Sequence, residues 1–262
     1  MGSPVDPRRL DRLGVKVEMP RGRMTGTTAW HVPGPSEAGL AVPARPRRGA
    51  ISALSHAVAF GVAAPIYSFL TAHETWRASC RALGALVPGP RVLDLGIGPG
   101  TSALEMARGS GKLHLGLDRS AEMLRRAARA ARAEGAHLPL LRADAMALPV
   151  IDGALDGVTG HSLLYLLPDP AAALAEVRRV LRPGGRVAFL EPRAGRPALR
   201  DAFAGGPRCG ASMLLWRGMS RLHARFDEEG LVALLARAGL RGARAWPVLG
   251  GHGVMAMAER PE

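Results

Sequence analysis

From residue 91 onward the chain repeats one pattern: a short, nearly continuous apolar run, a turn, then apolar residues three and four apart. Arg91–Leu95, Lys112–Asp118, Leu138–Arg142, Ala154–Gly160 and Arg186–Glu191 are runs of strand length. Their lack of strict alternation marks strands covered on both faces, as in a parallel sheet. Helical stretches separate them. One spans Thr101 to about Arg108, and Ser120 is placed to cap another reaching about Glu134. Asp169-Pro170 reads as an N-cap followed by proline at the first helical position. Leu174, Val177 and Leu181 line one side of that helix, and Pro183-Gly184-Gly185 stops it. After Asp227, the positions Leu231, Leu234, Leu235 and Ala238 follow i, i+3, i+4, i+7, with Gly239 placed to end the helix. Arg244–Val248 and Gly253–Glu259 complete the pattern as two strands joined through Gly250-Gly251. Strands alternating with helices predict a doubly wound α/β sheet.

The segment before residue 91 has a different texture. Residues 51–87 are apolar with helix-compatible spacing, interrupted by Pro65, and predict two or three helices: a lead-in over 50–88. Residues 1–49 hold seven of the 21 prolines, seven glycines and basic clusters at Arg21/Arg23 and Arg45/Arg47/Arg48. No periodicity survives there, so 1–49 reads as a disordered basic tail and 50–262 as the folded domain. Ile51–Leu70 is broken by Ser52, Ser55, His56, Pro65 and Ser68, so it does not read as a membrane span. Arg8-Arg9 is not followed by an apolar stretch, as a signal peptide requires, and the expected location is the cytoplasm. Cys80 and Cys209 are far apart, with neither disulfide-framework nor metal-ligand spacing.

Composition changes the picture in one respect. Hydrophobic residues make up 47% of the 262, enough for a large core, and the formal net charge is +13. Only Lys16 and Lys112 among the 35 basic residues are lysines, and arginine and alanine are abundant throughout. That is a chain-wide bias, so the charge does not by itself indicate a nucleic-acid partner. Peripheral contact with a membrane stays open, because 51–70 is apolar and the tail is basic.

In a doubly wound sheet, ligands bind beyond the carboxyl ends of the strands where strand order reverses. The first such end reads Asp94-Leu-Gly96-Ile-Gly98-Pro-Gly100-Thr101. Its glycines permit a tight turn with no side chain between loop and ligand, and the helix from Thr101 aims its free N–H groups there. The spacing is G-x-G-x-G, not the G-x-G-x-x-G of dinucleotide sites. A carboxylate at Asp94 suits a ligand bearing an ammonium group. The second strand ends in Asp118, about 20 positions past the loop and placed to accept from both hydroxyls of a ribose. Arg119 follows it. After the third strand, Asp144 is a candidate acceptor for an adenine amino group, with Ala145 beside it and Met146 packing on the ring.

These stretches resemble the class I S-adenosylmethionine-dependent methyltransferases: VLDLGIGPGT (92–101), LGLD (115–118), RADAMALP (142–149), LDGVTGHSLLYLLPD (155–169) and VRRVLRPGGRVAFLEP (177–192). The resemblance implies a Rossmann-like sheet of seven strands, mostly parallel with an antiparallel last strand, preceded by N-terminal helices. It implies S-adenosyl-L-methionine as cofactor, its methionine end held by Asp94 and Gly96–Gly100, its ribose by Asp118 and its adenine by Asp144 and Ala145. The flanks APIYSFLTAHETWRASCRAL (64–83) and FDEEGLVALLARAGL (226–240) are most similar to the ubiquinone/menaquinone-biosynthesis C-methyltransferases. One departure matters. That family carries a segment with glycine, arginine and asparagine after the fourth strand, where this chain has Gly160-His161-Ser162-Leu163-Leu164-Tyr165. The expected acceptor is therefore a small apolar or aromatic molecule, quinone-like or a secondary metabolite. A membrane lipid is the alternative. Nucleic acid is less favoured, because no Asn/Asp-Pro-Pro-aromatic motif follows the fourth strand.

His161, Tyr165 and, in second rank, His223 are the catalytic candidates, His161 also touching the cofactor side. Tyr67, from the lead-in, is placed to close over the cofactor. Residues 193–226 form an insertion expected to cover the substrate, with Met213, Leu214, Leu215, Trp216 and Met219 candidates for an apolar pocket.

Overall fold

The structure is a computed structural model that describes residues 73–108, 113–221, 223 and 225–262, together with Trp30 and His31. Trp30–His31 (β1) is a two-residue strand. The helix Glu74–Ala85 (α1) leads into the domain, with His73 at its N-cap accepting from the Trp76 N–H. The alternation then follows the sequence pattern: Arg91–Leu95 (β2), Thr101–Ala107 (α2), Leu113–Asp118 (β3), Ala121–Ala133 (α3), Leu140–Arg142 (β4) and Leu155–His161 (β5). A 3-10 turn at Leu164–Leu166 precedes Pro170–Val180 (α4) and Leu181–Pro192 (β6). Leu199–Ala202 (α5) and Pro207–Ser220 (α6) lie in the 193–226 segment. Glu228–Arg237 (α7), Arg241–Val248 (β7) and Gly253–Glu259 (β8) close the chain.

The two caps expected from the sequence form: Ser120 accepts from the Met123 N–H and Asp169 from Ala172. Asp227, at the expected start of a helix, also serves as its N-cap, accepting from Gly230. Gly239, with φ +78°, ends α7. Strand order is β1-β4-β3-β2-β5-β6-β8-β7, with β8 antiparallel to both its neighbours. The seven expected strands are β2 to β8, and β1 adds a short parallel pairing to β4 at one edge. The remaining tail, the lead-in before residue 73 and Tyr67 lie outside the described residues.

From β2 the chain moves outward through β3 and β4, then crosses to the other side of β2 to lay down β5. Order therefore reverses between β2 and β5, and a crevice opens at their carboxyl ends. Leu93, Leu95, Val158, Val187 and Phe189 point to one face, packed by α4 and α7. Val92, Ala188, Leu190 and Met255 point to the other, under α1 and α6. Both faces are dry, which is why β5 is buried at every position.

Candidate functional site

Strand β2 ends in a loop whose three glycines all have positive φ: Gly96 at +64°, Gly98 at +56° and Gly100 at +94°. Each has its own reason. A Cβ on Gly96 would meet the Leu163 side chain at 2.6 Å, and one on Gly100 would meet Ala127 of α3 at 3.0 Å. A Cβ on Gly98 would find only the Gly96 carbonyl, at 3.9 Å. Gly98 thus faces open space and leaves room for a ligand against the backbone. Ile97 between them is buried, anchoring the loop through its N–H to the Leu117 carbonyl.

Asp118, at the end of β3, closes the arrangement. One carboxylate oxygen accepts from the Gly98 N–H at 3.0 Å and the other from the Ser120 N–H at 2.8 Å. Burial pushes its pKa upward, and these two bonds pull it back. Each oxygen keeps a further lone pair. The donor set fits the ribose of a nucleoside: a carboxylate with spare acceptor capacity beside a bare stretch of backbone.

Asp94 lies deeper. It is fully buried, with Thr159 donating to one oxygen at 2.9 Å and Ser102 to the other at 2.7 Å. Asp94 and Thr159 are register partners across β2 and β5, so this bond spans the reversal point itself. Burial raises the Asp94 pKa to about 6 despite the two hydroxyls. Thr101 is the first residue of α2, whose N-cap Gly100 supplies no side-chain cap.

After β4, Asp144 is exposed and accepts from the Met146 N–H at 2.9 Å, holding the turn that carries buried Ala145 and half-buried Met146. Arg119 is exposed, and its carbonyl accepts from Arg142.

The catalytic candidates fall into two groups. His161, the last residue of β5, is buried with its ring 4.6 Å from Trp76 of α1 and 6.5 Å from Trp216 of α6; the two tryptophans are 5.4 Å apart. Its Nδ1 lies 3.0 Å from the Ser162 hydroxyl, and its Nε2 has no hydrogen-bond partner. Burial lowers its pKa to about 4, so the ring is neutral near pH 7. Tyr165 and His223 meet edge to face at 5.7 Å. Of the expected pocket residues, Met213 and Trp216 belong to the buried cluster under α6, whereas Leu214 faces solvent.

Glu191 is the residue that sequence reasoning missed. Fully buried at the end of β6, it accepts from three consecutive backbone N–H groups: Leu163 at 3.0 Å, Leu164 at 2.8 Å and Tyr165 at 3.3 Å. It therefore fixes the turn that carries Tyr165. Among the described residues no cation pairs with it, and burial drives its pKa to about 7 against those three bonds. The signal was a single carboxylate ending an otherwise apolar run, Val187-Ala-Phe-Leu-Glu191. Ser102 and Thr159 were also missed, since only the fold places them against Asp94.

Comparison with known proteins bears on the whole arrangement. Residues 92–185 match a family described as a methyltransferase domain. The chain is 38% identical over 123 residues to a 2-phytyl-1,4-naphtoquinone methyltransferase of Synechocystis, covering 45% of this chain and 52% of that protein. It is 39% identical over 139 residues to a demethylmenaquinone methyltransferase of Thermus thermophilus, covering 50% and 63%. The chain thus spans about half the length of the curated relatives it matches. A SAM-dependent methyltransferase from Thermotoga maritima superimposes with a TM-score of 0.57 at 20% identity, covering 78% of this chain and 98% of that one, a likeness of fold. The glycine loop, Asp94 in β2, Asp118 at the end of β3 and the turn after β4 all lie inside the residues that match the methyltransferase domain.

Proposed function

We propose that this chain is an S-adenosylmethionine-dependent methyltransferase acting on a small apolar or aromatic acceptor, quinone-like in character. The observation that carries the reading is the Asp118 carboxylate at the end of β3, which retains acceptor capacity while bonded to Gly98 of the loop that leaves β2 beside the point where strand order reverses. Asp118 would hold the ribose and Asp144 with Ala145 and Met146 the adenine. The Gly96–Gly100 loop would hold the amino-acid end. Asp94, with both oxygens engaged and no exposed surface, acts beneath that loop by fixing β2 to β5 and to α2.

When bound, the cofactor supplies an electrophilic methyl group on a sulfonium sulfur, and transfer removes that positive charge. The protein's own contribution is then alignment and exclusion of water. The Trp76–His161–Trp216 cluster supplies a dry wall on the α1 and α6 side. An acceptor that arrives as a hydroxyl must lose a proton. His161, kept neutral by burial and with Nε2 unpartnered, can accept a hydrogen bond from that hydroxyl and orient it. Tyr165 and His223 form a second candidate pair, with the Tyr165 backbone held by Glu191.

The test is a screen for labelled methyl transfer from S-adenosylmethionine to hydroxylated naphthoquinols, phenols and cell extract, with products identified by mass spectrometry. Label in a small aromatic product supports the reading. Label confined to RNA, DNA or protein, or failure of the cofactor to bind by calorimetry, overturns it.

A further inference from the structure

Helix α6 has no polar outer face. Its outward positions, Pro207, Ala211, Leu214 and Gly218, carry no polar side chain, and the first charge on that line is Arg221, just past the helix end. Arg208 and Arg217 sit half-buried on the helix beside this strip, so α6 presents an exposed apolar strip edged by arginine, the arrangement of a helix that lies against lipid. Here the inner side is buried through Cys209, Met213 and Trp216, and the outer side is open. The preceding turn extends the apolar line. A Cβ on Gly210 would fall 2.2 Å from the Phe203 ring, so Phe203 lies across α6 one turn before Leu214. Leu199 opens α5 and Phe203 is its C-cap, four residues later. Leu199, Phe203 and Leu214 are 62%, 42% and 42% exposed, three of the four exposed large apolar residues among those described.

The same segment concentrates positive charge. Residues 193–226 contain seven arginines and one acid, Asp201, a net of +6 (7 − 1) out of the chain's +13. Arg200 is 89% exposed, and its carboxylate partner is that Asp201 at 3.6 Å. Arg196 and Arg221 are exposed as well. Arg217 and Arg225 bond to the carbonyls of Arg193, Gly195 and Arg217 and to the Ser220 hydroxyl, which ties the segment down without neutralising it.

We propose that the outward surface of residues 196–221 docks the protein on a lipid bilayer rich in anionic headgroups. Leu199, Phe203 and Leu214 enter the acyl boundary, and Arg196, Arg200 and Arg221 meet the phosphates. Charge selects this occupant. A two-fold contact with a second copy would set this arginine-rich segment against itself, and a nucleic-acid strand would find a single aromatic ring to stack on. The surface is separate from the cofactor residues, so it stands or falls independently of the methyl-transfer reading. Together with that reading, it brings the inner side of the same segment, where His223 meets Tyr165, to the level at which a lipid-soluble acceptor resides.

The experiment is flotation of the full chain at physiological salt with vesicles of phosphatidylcholine alone and of phosphatidylcholine mixed with phosphatidylglycerol. The chain should float with the mixed vesicles only. Leu214→Asp and Phe203→Asp should each lower the bound fraction roughly tenfold, as loss of one apolar side chain from the interface implies. Circular dichroism and S-adenosylhomocysteine calorimetry should show both variants folded and unchanged in cofactor affinity. Unchanged flotation of both variants would assign the binding to another part of the chain and overturn the proposal. So would equal binding to the two vesicle types. A dimer in sedimentation velocity that Leu214→Asp dissolves, without vesicle binding, would give the face to a second copy and equally overturn it.

Discussion

At the scale of single residues, three carboxylates in similar sequence settings behave differently because their surroundings differ. Asp118 is reachable and half-satisfied, so Asp118→Ala should weaken S-adenosylmethionine binding by roughly 2–3 kcal/mol, read by calorimetry. Asp94 is sealed beneath the loop, with both oxygens engaged. Thr159→Val should therefore cost about 1–3 kcal/mol of folding stability, measured by urea denaturation, because it strips a buried carboxylate of a donor. Glu191→Gln leaves a single carbonyl oxygen where two carboxylate oxygens served three N–H groups. Amide exchange at Leu163, Leu164 and Tyr165 should speed up in that variant, while the amides of β2 keep their protection. Glu191 was legible as an acid at a strand end. Its role was not, because the groups it serves lie 26 to 28 positions away in sequence.

At the scale of elements, local chemistry decided most of the outcome. Ser120 and Asp169 cap as their sequence contexts indicate, and Gly239 ends α7. The junction of β2 and α2 tolerates little change. Gly100 combines φ +94° with Ala127 at 3.0 Å from a prospective Cβ, so Gly100→Ala adds backbone strain to a collision with α3. It should lower stability by about 1–3 kcal/mol in urea denaturation and weaken cofactor binding in the same preparation. Helix α6 went the other way. Met213, Leu214 and Trp216 look alike in sequence as apolar pocket candidates. Helical geometry sends Met213 and Trp216 to the core and Leu214 to solvent, about 100° around the axis per residue.

At the scale of the whole molecule, the buried titratable groups oppose one another across mildly acidic pH. Asp94 and Glu191 have native pKa values of about 6 and about 7, above their ordinary values of 3.8 and 4.5. Between those limits the native state holds more protons than the unfolded chain, so each term weakens the fold as pH rises. His161 is lowered from 6.5 to about 4, so its term weakens the fold as pH falls through that window. Denaturation midpoints from pH 4.5 to 7 should separate them. Relative to the parent chain, Glu191→Gln should gain stability as pH rises. His161→Phe should lose ground over the same range. Parallel profiles for the two variants would contradict this account of their burial.

The sequence by itself did not yield helices α5 and α6. It determined the alternation of strands and helices from β2 to β6 and from α7 to β8, the caps at Ser120 and Asp169, the glycine loop and the acids at the ends of β2 and β3. These are set by periodicity, φ preference and side-chain reach over a few residues, quantities that a linear pattern contains. The tertiary structure alone decided which side chains meet. Thr159 reaches Asp94 only because β5 crosses over to lie beside β2, and Glu191 reaches the 163–165 turn only because β6 pairs with β5. His161 gains its tryptophan walls from helices that precede and follow it by dozens of residues. Such contacts follow from chain crossings, and a crossing leaves no local mark on the residues it brings together.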